Sequence, residues 1–160
     1  MIVPIITAAL LVFLHDQIKL QRIVSLITMI FVSGVSVVLL QLIQTEGILR
    51  LDFSGWLPPF GILFVADSFS VLLVLTSSIV TAICLIYAFS TIGEAREKMY
   101  FYPFVLFLIA GVNGSFLTGD IFNLFVCFEV MLLASYALIA LGGEKFQLRE
   151  SLKYVLINVV

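Results

Sequence analysis

Glu129 is the residue of this chain best suited to handling a proton. It stands in the middle of an apolar run, 121–141, where only the weakly acidic Cys127 and Tyr136 can otherwise ionise. At ~1.5 Å per residue the run makes a helix of ~31 Å, enough to cross the ~30 Å hydrocarbon core of a bilayer with Glu129 near its midplane. A charged carboxylate there costs roughly 2.5–3.5 kcal/mol on insertion scales, so it must gain a partner, gain water or bind a proton. Transport chemistry is one role for such a group. A buried acid that only hydrogen-bonds a neighbouring helix is the other.

Helical spacing puts Glu129 on one face with Phe122, Phe125, Leu132, Leu133 and Tyr136. That face is mostly apolar, so desolvation favours the protonated form unless a cation opposes it. Tyr136, one heptad on, could hydrogen-bond water leading to the carboxylate. Lys153 is the nearest candidate cation in sequence. Glu129 lies ~19 Å and Lys153 ~7 Å from the same end of their helices, which leaves a depth mismatch of ~12 Å. Only a water-bridged relay could span that gap, and Lys153 is equally suited to snorkel to headgroups, as is Arg149. Asp120 precedes the run and fits a helix N-cap first, with an outer-mouth carboxylate as its second role. Asp67 has the same two readings.

Ser70, Ser77 and Thr81 share a face of the run 67–89 and suit helix–helix packing. Asn113, Gly114 and Ser115 place polar groups inside the run 101–118, either as a wet pocket or as an interhelical hydrogen bond. Cys84 and Cys127 lie within apolar runs without paired spacing and read as small apolar fillers. His15, the single histidine, has no partner that would make it a metal ligand. No phosphate-binding loop, zinc spacing or nucleophile elbow occurs, so no cofactor or metal is expected.

The elements that must position these groups follow from composition. Of 160 residues, 62% are hydrophobic and 11% charged, with mean hydropathy +1.25. A soluble domain of this size cannot hide so much apolar surface, which excludes soluble enzymes and nucleic-acid binders. The runs 2–14, 23–43, 67–89, 101–118, 121–141 and 148–160 predict an all-α, polytopic membrane bundle in one domain, with five transmembrane helices and part of a sixth. They are too long and continuous for barrel strands. The first is short for a full crossing, and the last stops inside an apolar helix, so the chain reads as a fragment. The start lacks a basic region before Ile2 and is not read as a cleaved signal.

Seven of the eight basic residues, Lys19, Arg22, Arg96, Lys98, Lys145, Arg149 and Lys153, fall in or beside alternate loops, and only Arg50 lies on the other side. The positive-inside rule then puts the N-terminus outside. The second loop, 44–66, faces outward. Its stretch Gly55-Trp56-Leu57-Pro58-Pro59-Phe60-Gly61 suits a semi-rigid interfacial connector more than a partner-docking loop.

The stretch Thr118-Gly119-Asp120-Ile121-Phe122-Asn123-Leu124-Phe125-Val126-Cys127-Phe128-Glu129-Val130-Met131-Leu132-Leu133-Ala134-Ser135-Tyr136 closely resembles the fifth helix of antiporter-like membrane subunits. The stretch Leu148-Arg149-Glu150-Ser151-Leu152-Lys153-Tyr154-Val155-Leu156-Ile157-Asn158-Val159-Val160 is similar to the start of their sixth. Within that superfamily the chain looks most like the D-type subunits of bacterial Mrp-type sodium/proton antiporters, in looser form along its whole length. The first run begins a few residues later than is usual there. The resemblance implies a fold of about fourteen helices in two inverted repeats, with this chain covering five and part of the sixth. It also implies that the glutamate matching Glu129 pairs with a lysine on a later, broken helix. The implied activity is proton influx driving sodium efflux through a hetero-oligomeric complex in the bacterial inner membrane. A proton-pumping subunit of a complex I-like or hydrogenase-like redox complex, and a structural membrane scaffold, are the rival readings.

Overall fold

The computed structural model describes residues 1–52 and 61–159. Seven helices and one small hairpin follow in the order α1 (Ile2–Phe13), α2 (Ile18–Glu46), β1 (Leu49–Asp52), β2 (Leu63–Ala66), α3 (Ser68–Thr91), α4 (Glu94–Glu97), α5 (Phe101–Leu117), α6 (Ile121–Ala140) and α7 (Lys145–Val159). Continuous apolar runs leave the backbone no polar partner but itself, and helices satisfy that demand within one segment. Among the described residues three helices, α2, α3 and α6, are long and apolar enough to cross a membrane, while α1 and α5 are shorter apolar helices of 12 and 17 residues.

Two expectations need correction. The chain is mostly helical but not all-α, because β1 and β2 pair antiparallel with Leu49 opposite Ala66 and Asp52 opposite Leu63. Each strand has only four residues, too few for a legible alternation. The hairpin is anchored to the α5–α6 turn, where the Gly119 amide donates to the Leu63 carbonyl at 2.8 Å. Its tip falls outside the described residues, and with it most of the 55–61 stretch expected to form an interfacial connector. Helix starts are the second correction. α2 begins at Ile18 and α7 at Lys145, so Lys19, Arg22 and Lys145 lie within helices rather than in loops. Polar first turns extend both helices beyond the apolar runs from which they were predicted.

The core sits where α1, α2, α3 and α5 meet, with Leu11, Met29, Leu85, Tyr102 and Leu106 almost fully buried. α5 is the central element and packs against α1, α3 and α6. Its contact with α6 is backbone to backbone: a Cβ at Gly111 would lie 2.8 Å from the Cys127 carbonyl oxygen and 2.9 Å from the Met131 nitrogen. One turn on, a Cβ at Gly114 would meet the Cys127 sulfur at 2.7 Å. Small residues at such spacing let membrane helices approach closely.

Caps close two of the helices. The Asp67 side chain accepts the Ser70 amide at 2.8 Å while the Ser70 hydroxyl receives the Asp67 amide, a reciprocal box at the start of α3. The Asp120 carboxylate accepts the amides of Phe122 and Asn123 at the start of α6. Both aspartates therefore serve as helix caps.

Gly111→Ala should destabilise the solubilised protein by roughly 1–3 kcal/mol, because α6 must move aside. Gly34→Ala, with nothing within 4 Å of the added carbon, should be neutral or slightly stabilising, and thermal unfolding in detergent reads both. The bonds from Ser70 hold the Asp67 carboxyl below the usual carboxylate range. A depressed folded value contributes stability above the unfolded value of ~3.9 that is lost as pH falls through the folded one. Asp67→Ala should therefore lower the melting temperature at pH 7, and its difference from the parent should shrink below about pH 4.

Candidate functional site

α6 carries the predicted carboxylate and α5 sets its direction. Cys127 and Met131, which flank Glu129 by two residues on either side, take the glycine face of α5. A displacement of two residues is about 200° around a helix, so Glu129 points away from α5. It is exposed in this chain, and among the described residues it forms no hydrogen bond or ion pair. Its face neighbours Phe122, Phe125 and Leu133 are 69%, 61% and 64% exposed. The result is an unpartnered apolar helix face with one carboxylate in its middle.

The other predicted relay residues make no hydrogen bond or ion pair with Glu129 among the described residues. The Tyr136 hydroxyl is buried without a hydrogen-bond partner among the described residues, and its ring meets Tyr154 of α7 edge-on at 5.9 Å. Lys153 is exposed and pairs with Glu150, one turn back on α7, at 2.6 Å. Asp120 is occupied as the cap of α6, and Asn123 braces the same turn by donating to the Thr118 hydroxyl at 2.9 Å. Among the described residues no three His, Cys, Asp or Glu side chains cluster as a metal site would need.

The polar groups of α3 and α5 form an interhelical bond rather than an open pocket: the Ser77 hydroxyl lies 2.9 Å from the Asn113 amide oxygen. Asn113 is fully buried, and its amide nitrogen has no partner among the described residues. Thr81 bonds back to the Ser77 carbonyl, so that stretch of the hydroxyl face is spent on its own helix. Cys84 is exposed and Cys127 buried, and both are free thiols.

One cluster had no counterpart in the sequence reading. The Glu97 carboxylate, with no exposed side-chain surface, accepts Arg22 Nη2 at 2.8 Å and Arg22 Nε at 3.3 Å. It also accepts the hydroxyl of the fully buried Tyr102 at 2.8 Å. The Arg22 guanidinium lies 5.6 Å from the centre of the Phe89 ring. Three helices, α2, α4 and α5, thus meet at one carboxylate, and α3 covers the arginine. In sequence Glu97 sits among Glu94, Arg96 and Lys98, a stretch that reads as solvated, and its partner is 75 residues away. The one available signal was that a glutamate just before an apolar helix could meet an arginine at the same membrane boundary.

A multi-pass helical membrane bundle with a lone carboxylate on its open face is the class these features define. No family model matches the chain. Among curated proteins it is 52% identical over 158 residues to the D-type subunit of the Na(+)/H(+) antiporter of Alkalihalophilus pseudofirmus, and 46% identical over 159 residues to that of Bacillus subtilis. Each match takes in 99% of this chain and 32% of the relative. A solved Mrp complex from Dietzia sp. superposes with a TM-score of 0.87 at 31% identity, covering 98% of this chain and 30% of that one. An archaeal membrane-bound sulfane sulfur reductase gives 0.83 at 24% identity, a likeness of fold alone. The chain is a close homologue of the D-type subunits of Na+/H+ antiporters and spans about a third of the length of the relatives it matches.

Removing Arg22 strands a buried charge. Arg22→Ala should cost about 3 kcal/mol, the low end for a broken buried pair because the arginine is partly exposed. Adding Glu97→Gln to that variant should recover part of the loss, and a double-mutant cycle followed by thermal unfolding measures the coupling.

Proposed function

We propose that this chain is the part of a bacterial multi-subunit Na+/H+ antiporter that carries the proton-relay carboxylate, Glu129. Proton influx through the relay is coupled to sodium efflux by the assembled complex. The observation behind this reading is the position of Glu129, in the middle of an apolar helix face that no described residue covers. A charged carboxylate left facing lipid is unfavourable, whereas one that meets a cation or water from the rest of a transporter can alternate between charged and neutral states. The similarity to the antiporter D-type subunits supports the same assignment.

In this reading α1, α2, α3, α5 and α6 each cross the membrane and α7 begins a sixth crossing. The N-terminus faces outward, which puts all basic residues but Arg50 on the cytoplasmic side. The cationic partner of Glu129 is a lysine from the length of the relatives that this chain does not cover. Tyr136 and Lys153 are secondary relay members, reached through water. The complex works as a secondary transporter, without covalent chemistry. Its other subunits are the partners, and H+ and Na+ the transported ions.

Sodium-dependent collapse of ΔpH in everted membrane vesicles tests this in the full-length assembled complex. Glu129→Gln should lower the rate more than tenfold with assembly intact, and Glu129→Asp should keep a measurable part of it. Normal transport by Glu129→Gln makes Glu129 a structural acid and removes the relay.

A further inference from the structure

We infer that Glu97 and Tyr102 are positioning residues for Glu129, acting through α5. The inference rests on the relay reading of Glu129 and adds to it a second group of residues in a different part of the bundle.

Tyr102 lies in the first turn of α5 and is fully buried in the core. Its hydroxyl ends on Glu97, whose other bonds run to Arg22 of α2. The height of α5 along the bundle is therefore tied to α2 by hydrogen bonds as well as by apolar packing. A short bond to a charged oxygen adds a directional restraint that apolar contacts lack. The chain also accepts backbone strain to make this connection. Tyr100, directly before α5, has φ of 64°, a left-handed conformation unusual for a residue with a side chain. That turn brings α4 back so that Glu97 faces Tyr102. The Tyr100 ring meets His15 of the α1–α2 connection at 5.8 Å, which pins the same turn from outside.

The other half of α5 transmits the position. Gly111 lies nine residues beyond Tyr102, ~13.5 Å along the same rigid helix. There α6 meets α5 with its backbone foremost, the Cys127 carbonyl and the Met131 nitrogen lying nearest to Gly111 and the Met131 Cβ just beyond. A shift of α5 must carry α6 with it, and Glu129 lies between those two contact residues. Interdigitated interiors move in discrete steps rather than by gradual deformation. The Glu97–Tyr102 bond thereby sets both the depth of Glu129 and the direction it faces.

The test uses the full-length assembled complex with Tyr102→Phe and Glu97→Gln, beside the parent and Glu129→Gln. Two quantities are read: ΔpH collapse per assembled complex across pH, and the distance between spin labels at Ile83 of α3 and Ile121 at the start of α6, both exposed in this chain and outside the group that shares a face with Glu129. Tyr102→Phe should assemble normally, shift or broaden the distance, lower transport by up to about a hundredfold and displace its pH profile, as expected when a reacting group is misplaced by about 1 Å. A purely structural role would reduce the amount of complex and leave the rate and pH profile per complex unchanged. An unaltered distance in both variants overturns the proposal. So does an altered distance with wild-type transport while Glu129→Gln is inactive. Normal transport by Glu129→Gln shows instead that the relay itself fails, and the positioning role falls with it.

Discussion

The close approach of α5 and α6 at Gly111 and Gly114 is the constraint on which the rest of the arrangement depends. With α6 backbone against Gly111 and the Cys127 sulfur against Gly114, the pair has little freedom to rotate or slide, so the rotational setting of α6 follows from that of α5. α5 in turn lies against α1, α2 and α3 around Tyr102 and Leu106. The bilayer supplies almost no hydrophobic drive for helices to associate, which leaves packing and hydrogen bonds to choose the geometry. In this chain glycine contacts make that choice on one side of α5, and a buried polar cluster makes it on the other.

That polar cluster is costly to assemble. Burying the Glu97 carboxylate is tolerable because both of its oxygens accept hydrogen bonds, from Arg22 and Tyr102, with Phe89 against the guanidinium. A cluster of apolar residues of the same volume could be equally stable, since buried ion pairs seldom add net stability. Geometry is what it contributes. A bidentate arginine and a phenol hydroxyl admit few relative placements of their helices, whereas leucine and phenylalanine would admit many.

Helices α1, α2, α3, α5 and α6 were legible because each holds a continuous apolar run, whereas the charged four-residue α4 was not, and the caps were legible because Asp67 and Asp120 immediately precede such runs. Boundaries suffered where helices extend into polar turns, as at Ile18 and Lys145. The β1–β2 hairpin was hidden by the brevity of its strands and by its dependence on a distant turn at Gly119. Periodicity grouped Glu129 with Phe122, Phe125 and Leu133 correctly. It could not say whether that face or the Cys127 face packs inward, because both are apolar. The deciding residues are on another helix, at Gly111 and Gly114. Glu97 was illegible for a related reason: local charge makes it look solvated, and only tertiary contact with Arg22 reverses that.

Glu97 and Glu129 are chemically the same side chain and lie in opposite circumstances. Glu97 sits at the edge of the apolar segments with a cation and a hydroxyl against its oxygens, so its charge is compensated in full and has no reason to move. Glu129 sits midway along an apolar helix with no described partner, on a face of phenylalanine and leucine. A carboxylate in the first setting holds helices together. In the second it is the group whose energy changes most when a cation, a water or a proton arrives. The separation of the two roles follows from partner geometry alone. The bundle satisfies one acid internally and turns the other outward without a partner among the described residues, and on that difference the relay role proposed for Glu129 rests.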